Sequence, residues 1–224
     1  MERIVCDSNE LPGRAAARIA LELTSALGAR GRASLALAGG TTPKATYEAL
    51  ANLPLDWSNI DVFFGDERCV PPDHSDSNYR MAKAALFDHI AIGADRIHRM
   101  QGELGDRDAA ARAYERELPD ALDVVVLGIG EDAHTASLFP GAAALGEQVR
   151  LVLPVIGPKP PPERLTLTPP ALRAARLCLM LASGAGKAAS VRRALVDPID
   201  ISAVPSQLAR QGVWFLDRGA AAAL

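Results

Sequence analysis

The feature that most restricts the fold of this chain is an alternation, nearly end to end, of short apolar runs with stretches of helical spacing. The runs are Ser34–Ala38, Asp61–Phe64, Asp123–Leu127, Leu151–Val155, Leu165–Thr168, Leu177–Leu181 and Val213–Leu216. Continuous apolar runs of this kind indicate strands buried on both faces, as in a parallel sheet. Between them, Pro12 opens a helix whose stripe is Ile19, Ala20, Leu23, Ala26 and Leu27, with Gly28 or Gly31 as its end. Thr42-Pro43 reads as an N-cap followed by proline at the first helical position, starting a helix through about Leu50. Asp76 or Ser77 caps another through Leu86, Asp106 to Arg116 is polar-faced, and Gly186 to Leu195 ends at Asp197-Pro198. The alternation predicts an α/β, Rossmann-like layered fold with a mostly parallel central sheet flanked by helices. A length of 224 residues is expected to form one domain, 1–224. Pro158 to Pro162 reads as a surface loop, because strand-like runs resume at once.

Composition removes several classes of function. With 24 Lys+Arg against 27 Asp+Glu the net charge is -3, and no basic stripe marks a nucleic-acid or acidic-membrane surface. No apolar stretch approaches the ~20 residues that span a bilayer. The acidic start, Met-Glu-Arg-Ile-Val-Cys-Asp, is unlike a signal peptide. Cys6, Cys69 and Cys178 are odd in number and show no Cys-x-x-Cys pair, so neither a disulfide framework nor a zinc ribbon is suggested. A cytoplasmic protein, monomeric or a small homo-oligomer, is the expectation.

In open parallel sheets, ligands gather at the carboxyl ends of the strands, so the loops after each run carry the interest. The first, Gly39-Gly40-Thr41-Thr42-Pro43-Lys44, can be a phosphate or carboxylate cradle at a helix start, or a tight turn whose glycines serve geometry alone. The second holds Asp66-Glu67-Arg68, where an arginine can fork onto an oxygen with the carboxylates orienting it; a solvated charge cluster is the alternative. The third, Gly128-Ile-Gly130-Glu-Asp132-Ala-His134, superficially matches a dinucleotide fingerprint. The next run, Leu151 to Val155, nevertheless ends without the acid that would bind a ribose. His134 is one of only four histidines and follows a strand end, where an imidazole can take a proton from water near neutral pH; capping a short helix begun by Thr135 is the other reading. His74, His89 and His98 read as surface residues, and no set of His, Cys and carboxylates has a metal-binding spacing. Arg164 heads one run, and Lys187 follows two glycines at a helix start. With the first loop they place several anion-binding devices at strand ends, which points to a phosphorylated small molecule.

Three segments together resemble the 6-phosphogluconolactonase family. They are Gly39-Gly40-Thr41-Thr42-Pro43, Asp66-Glu67-Arg68-Cys69-Val70-Pro71 with Asp76-Ser77-Asn78-Tyr79, and Gly128-Ile-Gly130-Glu-Asp132-Ala-His134-Thr-Ala-Ser-Leu-Phe-Pro-Gly141. Arg164-Leu-Thr-Leu-Thr168 and Gly186-Lys187-Ala188 fit in the same order. The wider superfamily includes glucosamine-6-phosphate deaminases. Those carry a glutamate five residues past the motif histidine, where this chain has Phe139, and tend to Asp-Glu-Tyr where it has Asp66-Glu67-Arg68. The same fold also serves sugar-responsive repressors, but this chain has no basic segment for a helix-turn-helix. One departure is Ala133, where the family usually has glycine. If the position needs φ > 0, alanine costs about 1 kcal/mol or more; if not, only pocket width changes.

The resemblance implies hydrolysis of 6-phospho-D-glucono-1,5-lactone to 6-phosphogluconate, with no metal or organic cofactor. It implies His134 as general base, Gly39, Gly40, Thr41, Thr42, Arg164 and Lys187 as the phosphate grip, and Arg68 steered by Asp66 as oxyanion stabiliser. Backbone N–H groups near Gly130 would assist Arg68, and Asp132 would position either His134 or a sugar hydroxyl.

Overall fold

A computed structural model describes residues 1–224. In chain order its strands are β1 (Glu2–Cys6), β2 (Ala33–Leu37), β3 (Ile60–Phe64), β4 (Asp66–Arg68), β5 (Val124–Gly128), β6 (Val152–Ile156), β7 (Glu163–Leu167), β8 (Leu177–Ala182) and β9 (Val213–Asp217). The helices are α1 (Leu11–Arg30), α2 (Thr41–Leu50), α3 (Asn78–Ala85), α4 (Arg107–Glu117), α5 (Pro169–Ala174) and α6 (Ala188–Leu195). Six strands form an all-parallel sheet in the order β1-β9-β8-β5-β2-β3. Its inner strands are the runs that read as doubly buried: β2 and β9 are buried at every position.

Two of the runs leave that sheet. β6 and β7 pair antiparallel with each other, and β7 pairs antiparallel with β4, making a separate three-stranded sheet. The connection from Ile156 to Glu163 is too short for the crossover that parallel strands require, so the two must fold back as a hairpin. β1 and β4 lack a continuous apolar run. β1 is an edge strand held on one side by β9, and β4 is three charged residues. One hydrophobic cluster nonetheless draws on the parallel sheet and on Val152, Leu165 and Leu167 of the small sheet.

Helix ends follow local chemistry. Gly31 closes α1 in the left-handed conformation, its N–H returning to the Leu27 carbonyl. Asp106 caps α4 by accepting from the Ala109 N–H. Ser77 caps α3 by accepting from the Arg80 N–H. The start of α2 differs from the sequence expectation: its cap is Gly40, and Thr42 and Pro43 are the second and third helical residues. Proline is tolerated there because first-turn N–H groups have no partner within the helix. No helix is long and apolar enough to cross a membrane.

The chain leaves β2 toward β3 on one side and β5 toward β8 on the other. The loops after β2 and β5 therefore diverge, and the gap between them is the topological switch point of the sheet.

Candidate active site

A cleft of about 200 Å³ opens at that switch point. Ala38, Gly39 and Gly40 line it from the loop after β2, and Gly128, Ile129, Gly130, His134 and Ala136 from the loop after β5. Asp66, Arg68, Asn78, Arg164 and Lys187 complete the wall. The structure thus gathers eight of the expected site residues around one cavity. Thr41 and Thr42 do not line it; they sit in the first turn of α2, just behind Gly40. Asp132 stands behind His134.

The loop after β2 needs both glycines. Gly40 has φ 108°, a conformation that side chains rarely adopt, and a Cβ at Gly39 would lie 2.0 Å from Asn78 Oδ1. No side chain caps α2, so the first-turn N–H groups of a ten-residue helix begin beside the cleft with a partial positive charge.

His134 sits in a tight turn rather than at a helix start. The Gly130 N–H donates to the His134 carbonyl (2.9 Å), the Ala133 N–H to the Gly130 carbonyl (3.0 Å), and Thr135 Oγ1 to the Gly128 carbonyl (2.9 Å). Of the N–H groups near Gly130 expected to assist the oxyanion, that of Gly130 itself is thereby committed to the turn. No helix begins at Thr135, because Ala136 has φ 48°. Ala133 has φ 73° and a fully buried side chain, so of the two readings of this position the strained one holds.

The imidazole is held by Asp132. His134 Nδ1 lies 2.5 Å from Asp132 Oδ1, and the same oxygen accepts the His134 backbone N–H at 3.1 Å. A carboxylate can only accept here, so Nδ1 carries a proton, and in the neutral ring the lone pair is on Nε2. Burial resists ionisation of Asp132, but the two hydrogen bonds from His134 outweigh it and hold the carboxyl below its ordinary value. Gly130 makes this geometry possible: a Cβ there would lie 2.0 Å from His134 Nδ1 and 2.3 Å from Asp132 Oδ1.

Asp66 does not steer Arg68. Its carboxylate accepts from Ser137 Oγ at 2.6 Å and from Asn78 Nδ2 at 3.2 Å, tying β4 to the His134 loop and to α3. Arg68 is instead braced by Nη1 on the Asp76 carbonyl. The period of a strand explains the division of the Asp-Glu-Arg triplet. Asp66 and Arg68 face the cleft, whereas Glu67 points under the start of α3 and accepts from the N–H groups of Arg68, Asn78 and Tyr79 and from Ser77 Oγ. Burial raises the Glu67 carboxyl above its usual value despite those four bonds.

Arg164 is 7% exposed and stands directly across from Arg68 in the β4–β7 register. It donates to the Lys159 carbonyl through Nη2 (3.3 Å), while its Nε, like that of Arg68, is buried without a hydrogen-bond partner. Burial lowers the Arg164 pKa, the mark of a guanidinium with little solvent around it. Arg164 and Arg68 side by side, with Lys187 on the same cavity, favour an anionic guest. Phe139, which the sequence offered only as a point of difference from the deaminases, packs against His134 and lies under the Arg164 guanidinium. His98 is not a plain surface residue: it stacks on Phe63 at 4.4 Å and bridges Asp61 and Glu117, far from the cleft.

Comparison with known proteins agrees with this geometry. The family described as "Glucosamine-6-phosphate isomerases/6-phosphogluconolactonase" matches residues 6–215. A protein named 6-phosphogluconolactonase from Nostoc sp. is 40% identical, over 99% of this chain and 97% of its own length. The chain belongs to this family. Among solved members, a 6-phosphogluconolactonase from Thermotoga maritima superposes with a TM-score of 0.87 at 28% identity, covering 96% of this chain and 99% of that one. A monomeric glucosamine-6-phosphate deaminase superposes with a TM-score of 0.89 at 25% identity over the whole of both chains. The family therefore fixes the fold, and the choice of reaction within it rests on the higher sequence likeness to the lactonases and on the residues lining the cleft.

Proposed function

We propose that the chain hydrolyses 6-phospho-D-glucono-1,5-lactone to 6-phospho-D-gluconate, the lactone-opening step of the oxidative pentose phosphate pathway, with residues 1–224 acting as one catalytic domain. The observation that carries this reading is the His134–Asp132 pair on the wall of a cleft that also holds three cations. Nε2 of His134 removes a proton from water as the oxygen attacks the ring carbonyl. The C–O bond to the ring oxygen then breaks, and the imidazolium returns its proton to that oxygen. Arg68 faces the developing oxyanion. Lys187 and Arg164, with the free amides that begin α2, hold the phosphate and so fix the lactone relative to His134.

The sugar-phosphate deaminase reading has one observation in its favour, the superposition on a deaminase. Against it stands an apolar Phe139 where the resemblance places a glutamate in the deaminases. The test feeds freshly generated lactone to the protein and couples product to a dehydrogenase, read above spontaneous opening. Acceleration over background without ammonia release from glucosamine-6-phosphate is expected. Ammonia release with no lactone acceleration would overturn the reading.

A further inference from the structure

Asp132 fixes only one edge of the His134 ring. Rotation about the Cβ–Cγ bond would swing the plane of the imidazole, and with it the direction of the Nε2 lone pair, unless something bears on a face. Phe139 does so. Its ring centroid lies 4.7 Å from that of His134 at an interplanar angle of 37°, and the side chain is only 6% exposed. The Arg164 guanidinium lies over the same phenyl ring, 5.7 Å from its centroid. Behind it runs the backbone of Gly157, where a Cβ would sit 2.7 Å from Phe139 Cε2 and 3.0 Å from Cζ. The ring is thus clamped from the side of the β6–β7 turn, a part of the chain far from His134 in sequence.

We propose that Phe139 is a positioning residue for His134, setting the plane of its imidazole so that Nε2 faces the cleft. It touches neither the reacting atoms nor the phosphate; it acts through His134 and so rests on the assignment of that histidine as the base. Because it fixes the direction of proton transfer and not the grip on the substrate, its removal lowers kcat and leaves KM in place.

Two independent measurements test this. In proton NMR spectra of the wild-type protein, the His134 ring resonances, assigned by their loss in His134→Gln, are expected upfield of those of exposed His74 and His89 through the ring current of Phe139. In kinetics, Phe139→Leu keeps an apolar side chain in the site and is expected to lower kcat about tenfold, the scale of a small misplacement of a catalytic group, with KM within about twofold of wild type. Gly157→Ala pushes hardest on the phenyl ring, its Cβ at 2.7 Å from Phe139 Cε2 against 3.2 Å from Arg164 Nε, and is expected to move kcat in the same direction. Unshifted His134 resonances would overturn the proposal, as would wild-type kcat in both folded variants, or a rise in KM at constant kcat. A wild-type chain that does not accelerate lactone opening would overturn the functional reading instead, and the NMR comparison would still decide the stacking.

Discussion

Both ends of the parallel sheet carry charged residues, and they treat them in opposite ways. Around the amino ends of β2, β5 and β8 lies a cavity of about 400 Å³, twice the size of the cleft at the carboxyl ends. All its charges except Arg32 and Asp120, both exposed, are paired with one another. Asp123 accepts from Arg30 and from both donors of Ser34 and forms an ion pair with Arg176, and His98 bridges Asp61 and Glu117. None of its buried polar atoms lacks a partner. At the other end, Arg68 and Arg164 each bury an unpartnered Nε, and α2 begins without a side-chain cap. Unmatched charge, and not volume, separates a place built to bind from a place built to hold the fold together.

This contrast can be broken from either end. His134→Ala should give the largest change, a fall in kcat of ~10²–10⁴-fold with the protein still folded; activity within a few-fold of wild type would remove the imidazole from the reaction. Lys187→Ala should raise KM by about 10–100-fold and leave kcat nearly intact, the signature of losing a charge-assisted contact remote from the bond that breaks. An unchanged KM would move the phosphate elsewhere in the cleft. At the opposite end, Asp123→Ala should destabilise the protein by about 2 kcal/mol in denaturant titration, since it strands two arginines and a buried serine. Its kcat/KM per folded molecule should not move, and a catalytic defect there would dissolve the distinction between the two ends.

The smallest effect sharpens the comparison within the cleft itself. Ala133→Gly should stabilise the protein by about 1 kcal/mol, or roughly 3 °C in Tm at this length, by relieving a left-handed alanine. A loss of stability would mean that the buried methyl group packs better than its backbone is strained. The Asp132 carboxyl gives the pH boundary for such experiments. Its pKa is lower folded than unfolded, so its stabilising contribution is full above about pH 4 and is lost as the pH falls through the folded-state value. The contribution is modest, because the side chain is 37% exposed.

Much of this was legible along the chain because it depends on neighbours in sequence. Apolar runs marked β2, β3, β5, β8 and β9, and Asp76 or Ser77, Asp106, and Gly28 or Gly31 marked helix ends that the structure places at Ser77, Asp106 and Gly31, since burial on a strand and capping at a terminus are set within a few residues. The glycine and histidine loops were found for the same reason. β1 and β4 were missed because an edge strand and a three-residue charged strand bury too little to need an apolar signature. The placement of β6 and β7 in the parallel sheet's company failed because an apolar run does not state its partner's direction.

The sequence by itself determined the α/β layering, the loops at the carboxyl ends of the strands and the supply of cations and one imidazole there, all consequences of local pattern and residue chemistry. Tertiary structure alone decided which of those groups meet. It turned Asp66 toward Ser137 instead of Arg68, and set Arg164 opposite Arg68 and against Phe139. Contacts between residues tens of positions apart are fixed by sheet order and strand register, and those emerge only when the whole core packs.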